Sequence, residues 1–248
     1  MLGYDEQFFA GIDAGSRSSA AVIVPIIMEV LNPTSVVDVG CGTGAWLAAF
    51  QAAGVKDLLG IDGDYVARSS LNIPVESFQP ADLGRPLRID RSFDLALSVE
   101  VAEHLAPSRA ESFVADLVRL APVVCFSAAI PLQGGVDHVN ERWQDEWAAI
   151  FATHGYRPVD LIRARVWDNP EVRPWYAQNM FLYVADGVGL EGDHLPMRLV
   201  HPARYEFRLA GVLDALEHSS PLGARQLVRE TGRTVRALAK RARAAIAR

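Results

Sequence analysis

Ser35 to Trp46, SVVDVGCGTGAW, constrains this 248-residue chain more than any other stretch. Strand-type residues Val36, Val37, Asp38 and Val39 run into three glycines at alternate positions, Gly40, Gly42 and Gly44. The pattern then turns helical through Ala45, Trp46, Leu47, Ala48, Ala49 and Phe50. A strand that ends in a glycine turn and feeds a helix brings backbone close to a nucleotide. Glycine is required there because a Cβ would block the ligand or forbid positive φ.

The rest of the chain repeats the alternation of strand and helix. Residues 16–31 read as a first helix, with Ser16 as its cap and Val22, Ile23, Ile26, Ile27 and Val30 as an apolar stripe. Strands are expected near 56–61, 75–78, 93–99, 123–128, 159–162 and 180–185, and helices over 65–70, 107–120 and 141–154. This spacing predicts a doubly wound, mostly parallel, seven-stranded Rossmann-like α/β sheet. Its last strand is expected to run antiparallel, since no obvious helix separates the final two. We divide the chain into a helical extension (1–34), a ligand-binding domain (35–186) and a C-terminal extension (187–248).

Composition excludes several classes. Half of the residues are hydrophobic and 22% are charged, as in an ordinary globular protein. No uninterrupted apolar run reaches the roughly 18 residues of a membrane span, and MLGYDEQFF lacks the basic start of a signal peptide. Two cysteines, Cys41 and Cys125, suggest no disulfide framework and fit a cytoplasmic location. The last 28 residues carry eight Lys/Arg and one acid, leaving 16 basic and 29 acidic side chains on the body. So acidic a body argues against nucleic acid as partner. The basic tail reads as a helix packed on its own domain, with a homo-oligomer contact or an anionic surface as the other readings.

The glycines are spaced G-x-G-x-G, not the G-x-G-x-x-G of a dinucleotide site. Asp38, two residues before the first glycine, would repel a pyrophosphate but favour an ammonium. That points to S-adenosyl-L-methionine (SAM), whose amino-acid end is cationic. D-V-G-C-G-T-G, with Asp62 at the end of the next strand, resembles the first two motifs of class I SAM-dependent methyltransferases over roughly residues 35–185. The resemblance implies that Gly40, Cys41, Gly42 and Gly44 line the methionine and ribose portions, with Asp38 near the amino group. It implies ribose binding by Asp62, with Gly63 beside it, and adenine contacts by Asp82 and Leu83. Glu100 falls beside the sulfonium.

The string from Glu100 to His104, E-x-x-E-H, resembles ubiquinone-biosynthesis O-methyltransferases and many small-molecule methyltransferases. In some of these the acids and the histidine help hold a divalent metal. The other reading, which we take, has Glu103 and His104 orienting the loop and capping a helix, so no metal ligand is assigned. After the fifth strand, IPLQGGVDHVN has lid-like glycines at Gly134 and Gly135. His138 is our choice of general base, with His104 as its rival, because imidazole titrates near neutral pH. The stretch beginning HVNERWQDEW, with RPWYAQNMFLYV after it, resembles bacterial methyltransferases found beside glycosyltransferase or secondary-metabolite genes. The polar-aromatic loop 163–179 could line a sugar pocket or roof the end of the fold.

The expectation is therefore a SAM-dependent methyltransferase acting on a small molecule, at a hydroxyl oxygen of a sugar or secondary metabolite. A SAM-using cyclase or lyase, and a non-catalytic SAM-fold scaffold, are the competing readings.

Overall fold

The computed structural model describes residues 6–192 and 197–218. Among these, one sheet holds seven strands: β1 Ser35–Val39, β2 Asp57–Asp62, β3 Phe78–Pro80, β4 Leu95–Val99, β5 Val123–Ser127, β6 Tyr156–Val159 and β7 Phe181–Ala185. Their order is β3-β2-β1-β4-β5-β7-β6. The first five pair in parallel, and β7 runs antiparallel to both of its neighbours. The Rossmann-like doubly wound sheet expected from the sequence is the fold.

Alternating strand residues supply the two faces. Val36, Leu58, Leu95, Leu97, Cys125, Leu182 and Val184 join a core with α1 (Glu6–Leu31), α2 (Ala45–Ala52), α5 (Arg163–Val166) and α6 (Pro174–Asn179). Val37, Ile61, Ala96, Val124, Phe126, Phe181 and Tyr183 join a second core with α3 (Ala110–Leu120) and α4 (Gln144–Ala152). A first compact unit runs from Met1 to His201. A second begins at Pro202, and α7 (Pro202–His218) is its described part. The basic helix expected from residue 223 onward lies outside the described residues.

Local chemistry explains where the elements depart from expectation. Helix α1 starts ten residues before Ser16, so Ser16 is no cap; its hydroxyl hydrogen-bonds that of Tyr176 at 2.9 Å. Over Ala14–Leu31 this helix has the length and mean hydropathy, 1.4, of a membrane span. Its apolar side, Ala20, Ile23, Val24 and Ile27, is nevertheless buried in the first core. The helix expected at 65–70 is only a 3-10 turn, Arg68–Ser70, where Arg68 bonds back to Val66 O and Asp64. Pro74 opens another such turn, Val75–Ser77, which delays β3 to Phe78. Strand β6 begins straight after Gly155 (φ +73°), earlier than expected. Asp160 then accepts from Arg163 N at 3.3 Å and starts α5.

Candidate active site

The strand order reverses direction between β1 and β4, and a crevice opens beyond the carboxyl ends of strands at such a point. The glycine turn leaves β1 there. Gly40, Gly42 and Gly44 all have positive φ, at +89°, +52° and +84°. A Cβ on Gly40 would lie 2.3 Å from the Val101 side chain, so the segment leaving β4 packs directly on the turn. A Cβ on Gly42 would meet nothing within 4 Å, which leaves open space above its backbone. Gly40 N and Cys41 N donate to Ile61 O at 2.7 and 3.2 Å and dock the turn on β2.

Two carboxylates flank the turn. Asp62, at the end of β2, accepts from Gly42 N at 2.7 Å and from Gly63 N at 2.6 Å. Its Oδ1 also receives the hydroxyl of Tyr65, a residue that sequence reasoning missed. Asp38 is buried and its Oδ2 has no hydrogen-bond partner. Burial first, and the charge of Asp62 second, push its pKa up to about 8. An unpartnered acceptor in such a place fits a ligand ammonium, which would supply the missing donor and restore the ionised form. Cys41 is a buried free thiol whose pKa is raised, chiefly by burial and then by Asp38 and Asp62. Asp82 is exposed just beyond β3, bonded to Gly84 N at 2.9 Å and ion-paired with Arg85, while Leu83 is buried in the second core.

The opposite wall comes from the ends of β4 and β5. Glu100 has a positive φ of +55°, an unfavourable conformation for a residue with a Cβ. Gln133 Nε2 donates to its Oε2 at 2.8 Å and Asn179 Nδ2 to its Oε1 at 3.3 Å. Asn179 and Gln178 also donate to Gln133 Oε1, at 2.8 and 3.2 Å. Gln144 Nε2 extends this buried amide network, reaching Asn179 Oδ1 at 3.5 Å. Burial raises the Glu100 pKa, and the hydrogen bonds from Ser127, Gln133 and Asn179 oppose that. The network was not foreseen as a unit.

Glu103 is fully buried, and neither carboxyl oxygen has a hydrogen bond of ordinary geometry. Its pKa stands well above the usual range, through burial first and Glu100 second. It does not cap a helix through its side chain, because α3 starts later, with Arg109 in the capping position. The segment is held through the Glu103 backbone, whose carbonyl accepts from Val139 N at 2.9 Å and Asn140 N at 3.0 Å. Those bonds bring His138 to His104, their rings meeting edge to face at 4.9 Å between centroids. Ligand atoms of Glu103, His104 and His138 all lie within 4.8 Å of one another. Burial, and then His138, lower the pKa of His104. Both candidate bases thus share one site.

His138 Nδ1 lies 3.1 Å from Glu141 Oε1. The same carboxylate accepts from Leu132 N at 2.8 Å and Gly134 N at 3.2 Å, closing the loop on itself. Gly135 makes room for the ring, since a Cβ there would lie 2.1 Å from His138 Nε2.

The polar-aromatic loop serves mostly as packing. Arg163 is buried and paired with Asp160, Arg165 pairs with Glu29, and Tyr176 lies edge-on to Trp46. Only Gln178 and Asn179 reach toward Glu100. An open groove of about 600 Å³ beside Ala115, Ile150 and His154 carries none of the site residues.

A family model described as a methyltransferase domain matches residues 19–121. Among curated proteins, none matches the chain in sequence. Solved structures with this fold include DesVI of Streptomyces venezuelae, 16% identical, with 73% of this chain and 96% of that one aligned and a TM-score of 0.53. The sugar N-methyltransferase KedS8 from Streptoalloteichus sp. ATCC 53650 aligns over 75% of this chain and 94% of its own, at 15% identity and a TM-score of 0.56. Magnesium protoporphyrin IX methyltransferase from Synechocystis PCC 6803, solved with bound SAM, aligns over 74% and 86%, at 17% identity and a TM-score of 0.50. At these identities the likeness to solved structures speaks for the fold.

Proposed function

We propose that this chain, whose residues 19–121 match a methyltransferase domain, is a SAM-dependent methyltransferase of the small-molecule type that methylates a hydroxyl oxygen of a sugar or secondary metabolite. When bound, SAM supplies an electrophilic methyl group on a positively charged sulfur. The residues at hand fit that cofactor. Asp38 offers a buried, unpartnered oxygen for its ammonium, Asp62 a carboxylate for the ribose hydroxyls, and Gly42 an open backbone surface. Cys41, Gly63, Asp82, Leu83 and Glu100 complete the proposed lining. The amide donors around Glu100 would hold its carboxylate toward the reacting centre.

The observation that carries the oxygen acceptor is the His138–Glu141 contact at 3.1 Å, beside His104. An imidazole whose Nδ1–H is held by a carboxylate leaves Nε2 as the acceptor for a hydroxyl proton. Transfer then depends on orientation of the acceptor against the methyl group, which positioning by loop 130–141 would provide. The fold is also that of a solved sugar N-methyltransferase, so amino sugars belong in the same trial. Incubation with SAM and a panel of hydroxyl and amino glycosides should yield S-adenosylhomocysteine and an O-methylated product. Methylthioadenosine as the nucleoside product would favour a cyclase or lyase, and no turnover with any acceptor would favour a scaffold.

A second reading has an observation of its own. Glu103, His104 and His138 could hold a divalent cation, which would satisfy the buried, unpartnered Glu103 carboxyl. A cation on His138 would displace it as base and instead lower the pKa of a bound hydroxyl. Activity that survives exhaustive EDTA treatment would eliminate this alternative. We keep the division at residues 34 and 186, and a cytoplasmic location given the two buried free thiols, as parts of the same proposal.

A further inference from the structure

A buried ion pair that the proposed chemistry does not use joins Arg109, just before helix α3, to Asp116 within it. Arg109 and Asp116 are both buried and bonded to each other. Burying two charges stabilises little unless their remaining bonding capacity is filled, so what fills it is informative. Arg109 Nε donates to Leu83 O at 3.1 Å and its Nη2 to Arg85 O at 2.9 Å. Asp116 Oδ2 accepts from Leu87 N at 3.0 Å, and its Oδ1 from Arg119 at 2.9 Å. Arg119 in turn donates to Leu87 O at 2.7 Å. The pair therefore grips the backbone at 83, 85 and 87, immediately after Asp82.

Arg109 also closes a segment that begins at the acceptor wall. Asn140 Nδ2 donates to Ala102 O at 3.1 Å and Arg142 Nη2 to Pro107 O at 3.4 Å, tying the His138 loop to residues 102–107. Residues 102–109 thus bridge the His138 loop and the loop after β3.

We propose that Arg109, braced by Asp116, is a positioning residue for the base of the cofactor. It fixes the backbone of 83–87 so that Asp82 and Leu83 present a constant edge to adenine, an inference that rests on the SAM reading above. A merely structural pair would weaken all ligands together when altered. A positioning pair would specifically weaken discrimination at the base.

The test compares binding of S-adenosylhomocysteine and S-inosylhomocysteine, which differ only at the purine 6-substituent and in the proton that the oxo form carries on N1. The wild-type chain should prefer the adenine form by about tenfold, the worth of one hydrogen bond. In Arg109→Lys the preference should fall to about two- to threefold, while kcat at saturating SAM stays within about twofold. Arg119→Gln, at a half-exposed side chain, removes the bonds to Leu87 O and Asp116 Oδ1 while leaving Arg109 and the Leu87 N–Asp116 bond in place, and should give an intermediate preference even if Arg109→Lys fails to fold. An unchanged preference in a folded variant overturns the inference alone. Failure of the wild-type chain to bind S-adenosylhomocysteine overturns the cofactor reading, and this inference with it.

Discussion

The hydroxyl of Tyr65 donates to Oδ1 of Asp62, on the carboxylate proposed to receive the cofactor's ribose. The tyrosine ring remains largely exposed beside Gly63. Its hydroxyl alone is tucked against Asp62; that local burial, followed by the charge of Asp62 and this bond, raises the Tyr65 pKa, so the phenol stays a donor throughout the physiological range. Oδ1 already accepts from Gly63 N and Tyr65, so a ribose that uses both carboxylate oxygens would compete with the tyrosine. Tyr65→Phe should therefore tighten SAM binding by about three- to tenfold, the net worth of the competing bond. Weaker binding by calorimetry would mean that Tyr65 contributes to the bound state instead.

Asp38 predicts a pH dependence. Its carboxyl is protonated in the folded chain below about pH 8 and ionised in the unfolded chain above its ordinary value of 3.8. The native state binds the extra proton, so this group's stabilisation is full below pH 3.8 and is lost as pH rises toward 8. SAM's ammonium favours the ionised form, so SAM affinity should rise with pH up to about 8. The groups coupled to Asp38 are Asp62, Cys41 and Cys125. Asp38→Asn should flatten both trends, by thermal melts and by titrations from pH 6 to 9; retention of both trends would acquit Asp38.

If His138 is the general base, His138→Ala should lower kcat by roughly 10²- to 10⁴-fold. Glu141→Gln should cost about tenfold in kcat with little change in the KM for SAM, since it loosens the ring and the loop but not the cofactor wall. His104→Ala should cost less than His138→Ala. The reverse order in steady-state kinetics would make His104 the base.

Gly40→Ala combines two costs. The residue would need φ +89°, and its Cβ would lie 2.3 Å from Val101. Left-handed backbone costs about 1–2 kcal/mol and overpacking about 1–3 kcal/mol. Chemical denaturation should show a loss of about 2–5 kcal/mol. Val101→Ala in the same chain should recover the packing part only, and full recovery would show that backbone strain at Gly40 is negligible.

What could be read from the sequence was local. The glycine turn and the acid at 62 announce themselves because positive φ and a carboxylate at a strand end are properties of single positions. Strands such as β4 and β5 are legible because burial on both faces demands unbroken apolar runs. Tyr65 was missed because its role depends on a turn over residues 63–66 that places its ring against Gly63. Glu141 was missed because it folds back over Leu132, Gly134 and His138. Long-range contacts left no local mark either: Arg109 meets Leu83 across 26 residues, and Asn179 meets Glu100 across 79. The loop 163–179 could be read either as a pocket wall or as a roof, since a buried arginine paired with Asp160 looks in one dimension like a pocket residue.

The amides around Glu100 all point one way. Gln133 and Asn179 give their N–H groups to the carboxylate, and Gln178 and Gln144 give theirs to the oxygens left behind. Such an arrangement has a polarity, and neither Gln133 nor Asn179 can reverse without setting an amide oxygen against the Glu100 carboxylate. Heritable change at this wall is therefore constrained: Glu100→Gln would set an amide N–H against those of Gln133 or Asn179 and require them to turn as well. A lineage drifting toward a different acceptor would have to cross that barrier through paired substitutions, and the order in which they arose would be written in which intermediates still fold.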